Sequence, residues 1–373
     1  MNRRCFLKKS VLTGAVLWGG GLAGCARDLR KTLMHLPEGS CDAGLSRDAY
    51  QMLFYASLAP SGHNSQPWFV RMENDTRWVV GSDRARWLPA VDPENREVLL
   101  SIGAFIENLV LAAGVLGYGA EVEIQARDRF DPDVARVTLF SQPAGKTPDQ
   151  ILAQMAARRT VKTGLEGTAL KPADLTLLEQ AVSGKLYYFP RGGSHSDCMA
   201  RAAVENFQVQ FDNMTAMAEA ARWTRLSDDA AKQYRDGLTP DGMEISGLAG
   251  FWVRHFMDSG DVTGNLWREK ALEKVTAQVR EGAGWLVLTS PSGAVADLVE
   301  AGRRFQRLAL AAVPLGIGIH PMTQTLEEAG GQRAVRTHHD PGMIPQFMLR
   351  VGYVHPYPPP VSLRRPPEWF VTG

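Results

Sequence analysis

The chain has 373 residues. Lys and Arg number 41 against 40 Asp and Glu, for a formal charge of +1, and 45% of residues are hydrophobic. That balance leaves no basic patch for nucleic acid, the apolar share supports an ordinary globular core, and the length suggests about two domains.

The first stretch reads "MNRRCFLKKSVLTGAVLWGGGLAGC". Adjacent Arg3 and Arg4, followed by Phe6, Leu7 and Lys8, resemble a twin-arginine export signal. The apolar run from Val11 to Gly24 is shorter than the roughly 18–20 residues of a spanning helix. It ends Leu22-Ala23-Gly24-Cys25, which resembles a lipobox. Residues 1–25 are therefore expected to direct export to the periplasmic side of a bacterial envelope, with Cys25 as the lipidated residue. Twin-arginine substrates cross the membrane folded, a route suited to proteins that load a cofactor beforehand. Cys41 and Cys198 remain, and the sequence leaves open whether they pair. Two thiols without Cys-x-x-Cys spacing argue against a zinc or iron–sulfur site.

The pattern then predicts a helix over 46–58 ended by Pro60, strands near 67–73 and 77–81, and a long helix over 96–117. Strands near 120–126 and 134–140 lead to a linker marked by Pro143 and Gly145. Helices follow at 148–158 and 172–182, then a strand at 185–189 and a strongly helical stretch at 195–222. Residues 223–265 read as irregular. A helix at 266–281, a strand at 284–290, a buried helix at 296–315 and a last strand at 346–354 complete the layout. This mixture is α+β, with sheets flanking a helical layer.

Two segments repeat at a constant offset of 199: "GAFIENLVLAAGVLGYG" (103–119) and "GRRFQRLALAAVPLGIG" (302–318), identical at eight of 17 positions. Both are small and apolar almost all round, as a buried helix in close contact requires. A period this long indicates a duplicated domain rather than a solenoid. Gly117 and Gly119 follow their helix and are expected to cap its C-terminus. A dinucleotide loop would precede its helix, so that reading fails on order.

"PSGHNSQPW" (60–68), the 103–119 helix, "RRTVK" (158–162) and "RVGY" (350–353) followed by Arg364 and Arg365 stand in one order. Together they resemble the nitroreductase family of FMN enzymes over most of 46–370. The resemblance implies a tandem-duplicated nitroreductase-like fold, with a first half at 42–145 and a second at 146–373. The first half lacks the Arg-Arg motif, and the second lacks the Pro-Ser-x-x-Asn loop. The losses are complementary, so one FMN site survives in a pseudo-dimeric monomer, as in the twin-domain, dormancy-associated subgroup.

For that site the resemblance implies that Pro60, Ser61, Gly62 and Asn64 face the ribityl chain and ring. Arg158, Arg365, Thr160, Arg159 and Arg364 would hold the phosphate, and Lys162 would sit at the pyrimidine edge. The backbone of Pro321, Met322 and Thr323 would face N5. The flavin carries the chemistry, so no catalytic side chain is assigned. His338-His339 lacks metal-ligand spacing, and no metal is expected. Trp68 reads as core and His63 as a loop hydrogen-bonder. Residues 223–265 could close over the flavin. The functions implied are reduction of a nitro, quinone or similar small acceptor, or flavin binding without turnover. A scaffold that binds no flavin is the third reading. The electron donor is open, because an exported protein meets little NAD(P)H.

Overall fold

The computed structural model describes residues 29–36, 45–143, 148–183, 186–336 and 343–372. Arg3, Arg4, Cys25, Cys41, Gly145, His338 and His339 lie outside the described residues. In chain order the elements are α1 (Leu29–Leu33), α2 (Arg47–Ser57), β1 (Trp68–Asn74), β2 (Arg77–Ser82), α3 (Arg96–Val115), β3 (Tyr118–Ile124) and β4 (Asp133–Ser141). Next come α4 (Pro148–Ala157), α5 (Pro172–Ala181), β5 (Leu186–Pro190), α6 (Ser194–Asp212), α7 (Met214–Arg222), α8 (Asp228–Tyr234), α9 (Gly247–Phe256) and α10 (Asn265–Gln278). The chain closes with β6 (Gly284–Ser290), α11 (Val295–Ala312), β7 (Ile317–Pro321), α12 (Gln324–Glu327), α13 (Ala329–Arg336), β8 (Ile344–Tyr353) and β9 (Val371–Thr372).

Two sheets flank a helical centre. One runs β3-β4-β2-β1-β9, the other β7-β8-β6-β5 when read from the corresponding edge. Apart from β9 the orders are the same, every pair within them is antiparallel, and each sheet receives its long helix between its second and third strands. The helices α3 and α11 pack on each other at the glycines that share the 199 offset. A Cβ on Gly103 would lie 2.1 Å from the Val299 carbonyl oxygen, and one on Gly302 would lie 2.0 Å from that of Leu100. Backbone therefore meets backbone, and no larger residue fits without separating the helices. Helix α3 is apolar and long enough to cross a membrane, but 78% of its apolar window is buried inside the protein, as suits a core helix.

The turn geometry repeats too. Gly117 and Gly316 end their helices with φ of 86° and 64°, the left-handed conformation glycine adopts freely. Gly119, expected as a cap, lies instead in β3, where a Cβ would meet the Phe140 ring at 2.2 Å.

The halves differ most in what joins their first two strands. Residues 75–76 connect β1 to β2, whereas 191–283, carrying α6 to α10, stand between β5 and β6. The expected helix over 195–222 is broken at Asn213, whose side chain caps α7 by accepting from the amides of Thr215 and Ala216. The segment expected to be irregular, 223–265, holds α8 and α9. Its amphipathic pattern is short and interrupted by Gly237, Pro240 and Gly242, which hid both helices. Cys198 is a half-buried free thiol in α6.

Candidate functional site

The loop between α2 and β1 is tightly made. Ser61 Oγ accepts the Gln66 amide at 3.0 Å, and His63, Asn64 and Gln66 all adopt positive φ near 50°. Three non-glycine residues in that conformation cost energy that the surroundings must over-determine. They do so. The Gln66 side chain donates to the Arg235 carbonyl at 2.9 Å and accepts the Arg365 amide at 2.8 Å. Asn64 Nδ2 donates to the Gly237 and Leu363 carbonyls, and its Oδ1 accepts from Arg364 at 2.8 Å. Gly62 itself is not left-handed. A Cβ there would come within 3.1 Å of Glu97 Oε2 and Leu88 Cδ1.

This loop is one wall of a cavity of about 1330 Å³. Pro60, Ser61, Gly62 and Asn64 line it together with Arg158, Arg159, Thr160, Lys162, Pro321, Met322, Thr323 and Arg364. The opposite wall comes from 191–283, including Met243, Trp252 and Trp267. Drug-sized ligands occupy roughly 300–1,000 Å³, so the space admits one large ligand and part of a second.

Position 365 is a correction. Arg365, expected beside a phosphate, does not line the cavity. Its guanidinium donates to the Gln66 carbonyl at 2.6 Å and the Trp68 carbonyl at 2.8 Å, so it buttresses the loop from behind. The Trp68 ring is fully buried against Phe105.

The cationic end of the cavity is built by Arg158 and Arg364. Both are buried, and both donate to the same acceptor, the Leu58 carbonyl, at 2.8 and 3.4 Å. Among the described residues neither has an ion-pair partner, and the Nε of each has no hydrogen-bond partner. Burial lowers Arg158 to about 10. Arg364 is pushed well below its ordinary value by burial, then by Arg158 and Arg30. Two buried guanidiniums with no carboxylate partner among the described residues are suited to hold an anion.

Arg159 is differently engaged. It pairs with Glu244 at 2.7 Å, and the same carboxylate accepts the Lys162 amide at 3.0 Å and the Thr163 hydroxyl at 2.6 Å. Glu244 thereby fastens the 191–283 wall to the 158–163 loop. Lys274 donates to the Met243 and Glu244 carbonyls and holds that turn from the other side.

Lys162 lines the cavity, and its ammonium makes no hydrogen bond among the described residues. Burial lowers it to about 8, Lys274 and Arg159 act in the same direction, and Glu244 opposes them. Behind it, Arg350 of β8 is fully buried and donates to the Lys162 and Gln278 carbonyls and toward His320 Nδ1. Burial, Arg350 and the nearby lysines keep His320 well below its ordinary value, so it is neutral. His63 also lines the cavity and is lowered by burial, against the opposing pull of Glu97.

The motifs thus lead to the 60–64, 158–162 and 321–323 walls. Glu244, His320 and Lys274 carry no motif, and only the fold brings them here; Arg350 opens the "RVGY" motif, but its place behind Lys162 follows only from the fold. Arg30 of α1 also lines the cavity and follows no recognisable pattern.

No family model matches the chain. It is 28% identical over 326 residues to a Mycobacterium tuberculosis (strain ATCC 25618 / H37Rv) protein named "Putative NAD(P)H nitroreductase Rv3131", covering 83% of this chain and 87% of that one. A Serratia sp. protein named "Probable NAD(P)H nitroreductase PigM" is 24% identical over 319 residues, covering 80% and 86%. Among solved structures, the FMN-dependent nitroreductase NfnB from Mycobacterium smegmatis in complex with NADPH matches with a TM-score of 0.33 and 13% identity, over 55% of this chain and 88% of that one. The structure of a protein named "putative nitroreductase" from Anabaena variabilis gives 0.43 and 11%, over 85% and 90%.

Proposed function

We propose that this chain is an exported, FMN-dependent oxidoreductase of nitroreductase type with one flavin site between two duplicated halves. The observation that carries the reading is the pair Arg158 and Arg364. They are buried, without a carboxylate, share the Leu58 carbonyl, and stand at one end of a cavity whose walls come from both halves. A phosphate monoester is the anion that two such guanidiniums would take. The relatives named NAD(P)H nitroreductases support the same reading.

When bound, FMN would supply two-electron hydride chemistry to a nitro, quinone or similar acceptor. The residues of this chain bind, orient and exclude. Arg158 and Arg364 would hold the phosphate, with Thr160 beside them. Lys162 would set a cation at the ring, where its unsatisfied ammonium gains a partner. Neutral His320 supports the neighbouring backbone of 321–323 without adding charge. The 191–283 wall, fastened by Glu244, excludes water. NAD(P)H as the electron donor enters from the names of the relatives and is part of the proposal. So are the twin-arginine signal, lipidation at Cys25, a periplasmic location and a monomeric pseudo-dimer. The equal strand orders of the two sheets and the Gly103–Gly302 crossing support duplication.

The Glu244 fastening favours a second reading, flavin binding without turnover, because it ties the 191–283 wall to the 158–163 loop and narrows access to the cavity. One experiment separates the readings. The purified protein should be yellow, its blue absorbance should bleach with dithionite, and added quinone should restore it. Bleaching without restoration supports sequestration. A colourless protein that takes up no FMN would falsify both. The double variant Arg158→Ala with Arg364→Ala should lose FMN.

A further inference from the structure

Helix α9 (Gly247–Phe256) is apolar on both its cavity-facing and its solvent-facing side. Ala249, Trp252 and Val253 line the cavity, and Val253 packs with Leu226 and Val262. On the solvent side stand Leu248, Phe251 and Phe256, which are 66%, 54% and 49% exposed. Their rings are held by neighbours in the same helix: Phe251 stacks on His255 at 4.2 Å, and Phe256 on Trp252 at 4.3 Å. Arg254, the helix's one Lys or Arg, is answered by Asp228 and Asp241. A surface helix ordinarily sets charge opposite its core stripe, whereas this one sets aromatic rings there.

The helix stands on the flank from which the N-terminal segment leaves the body. Asp228, which Arg254 meets at 3.5 Å, opens α8, and α8 packs against α1. Cys25 lies four positions before Leu29, the first residue of α1. Four residue steps span at most about 14 Å. A lipid on Cys25 would hold this flank at the membrane, where tethering raises the effective concentration of the lipid surface. We propose that the solvent side of α9 is a membrane-docking face, and that Leu248, Phe251 and Phe256 enter the interfacial layer of the bilayer. A second copy of the chain fits the face less well. The three side chains offer about 300 Å², against about 800 Å² per partner in a stable interface. A bilayer interface demands no complementary shape and suits aromatic side chains. The inference rests on lipidation at Cys25 and is independent of the flavin. Because α9 is also a wall of the cavity, docking brings that wall against lipid.

The test uses a chain of residues 26–373, which keeps every described element and lacks the lipidation residue. It is mixed with vesicles of phosphatidylethanolamine and phosphatidylglycerol, and partitioning is read by flotation. The parent should float with the vesicles, at high salt as at low, because the contact is apolar. Burying about 100 Å² of each phenylalanine contributes roughly 10-fold or more, so Phe251→Ser with Phe256→Ser should lower partitioning by about 100-fold. Leu177→Ser, which alters an equally exposed apolar residue on α5, should behave as the parent does. Hydrogen exchange in 247–256 of the parent should slow when vesicles are added, a readout that needs no variant. A parent that stays in solution would overturn the proposal, and so would a double variant that floats as well as the parent. Self-association lost in the double variant, with no flotation of the parent, would assign the face to a second copy instead. The mass of the full chain extracted from membranes reads lipidation separately: an unmodified Cys25 would remove the anchor, whereas the vesicles alone decide the docking of α9.

Discussion

Glu244 is the point at which the cover over the cavity can be tested. Its carboxylate receives three donors: the Arg159 guanidinium, the Lys162 amide and the Thr163 hydroxyl. The two charged side chains are 10% and 14% exposed, so the pair is mostly out of water. Replacing Glu244 with Ala leaves Arg159 without its carboxylate and the Lys162 amide without its acceptor. Each hydrogen bond to a charged partner contributes about 1.5–3 kcal/mol, and the three are not additive. Breaking one side of a buried pair costs about 3–5 kcal/mol, and partial exposure places this case at the lower end, about 3 kcal/mol. That loss falls on local opening rather than global unfolding, because Glu244 joins a turn to a loop and lies outside both sheets. Amide exchange in 240–246 and 159–163 should therefore rise by about 100-fold, while β6 and β8 exchange as before. Because Glu244 has φ of 55°, Glu244→Gly should lose the same contacts while relieving the left-handed backbone strain that Glu and Ala share. Glu244→Gln, which keeps an acceptor, should fall between Ala and the parent. Hydrogen exchange read by mass spectrometry measures all three. Unchanged protection of 159–163 in Glu244→Ala would refute the claim that this side chain holds the cover down.

Two further outcomes follow from the site. Arg365→Ala should destabilise the protein by about 2–4 kcal/mol, since two buried carbonyls each lose a donor, and should weaken FMN and riboflavin together; a loss confined to FMN would return Arg365 to the phosphate. Lys162 has a folded-state value of about 8, below its ordinary 10.5, so the unfolded chain holds more protons between those values and stability rises with pH across that window. Flavin-free Lys162→Met should accordingly melt higher than the flavin-free parent below pH 8, with the advantage gone above pH 10.5; a difference independent of pH would show that Lys162 is solvated.

What the sequence carried of this site is instructive residue by residue. Gly103 and Gly302 were legible because backbone contact between helices demands glycine at both positions, and the demand survives as a shared offset. The 60–64 loop was legible because left-handed residues and a buttressing proline-rich frame tolerate few side chains. Arg365 was misread because its neighbour Arg364 has the same chemistry, and only the direction of the chain at 363–365 decides which one faces the cavity. Glu244 was invisible for a different reason. Its partners are some 80 positions earlier, and nothing local to a Gly242-Met243-Glu244 turn says what lies across from it. Arg350 and His320 read as ordinary strand residues until β7 and β8 are paired.

The two sheets also differ in the path that leads into β1 and into β5. Asn108 of α3 donates to the Tyr55 carbonyl near the end of α2, and its offset mate, Arg307 of α11, donates to the Ala181 carbonyl at the end of α5. Both long helices therefore hold the preceding helix in the same way. From there the chain has residues 58–67 to reach β1 but only 182–185 to reach β5. The longer path can fold out, turn through His63 and Asn64, and cover a ligand, whereas the shorter one must pass directly into its strand. The second sheet differs elsewhere too. It accommodates 191–283 between β5 and β6, where the first half has only the turn 75–76, and that insertion supplies the far wall of the cavity. The tail returns the dependence, since Arg364 reaches Asn64 and β9 pairs in parallel with β1. The cavity therefore draws its walls from the 60–64 loop, the 158–162 loop, the 191–283 insertion and the tail together.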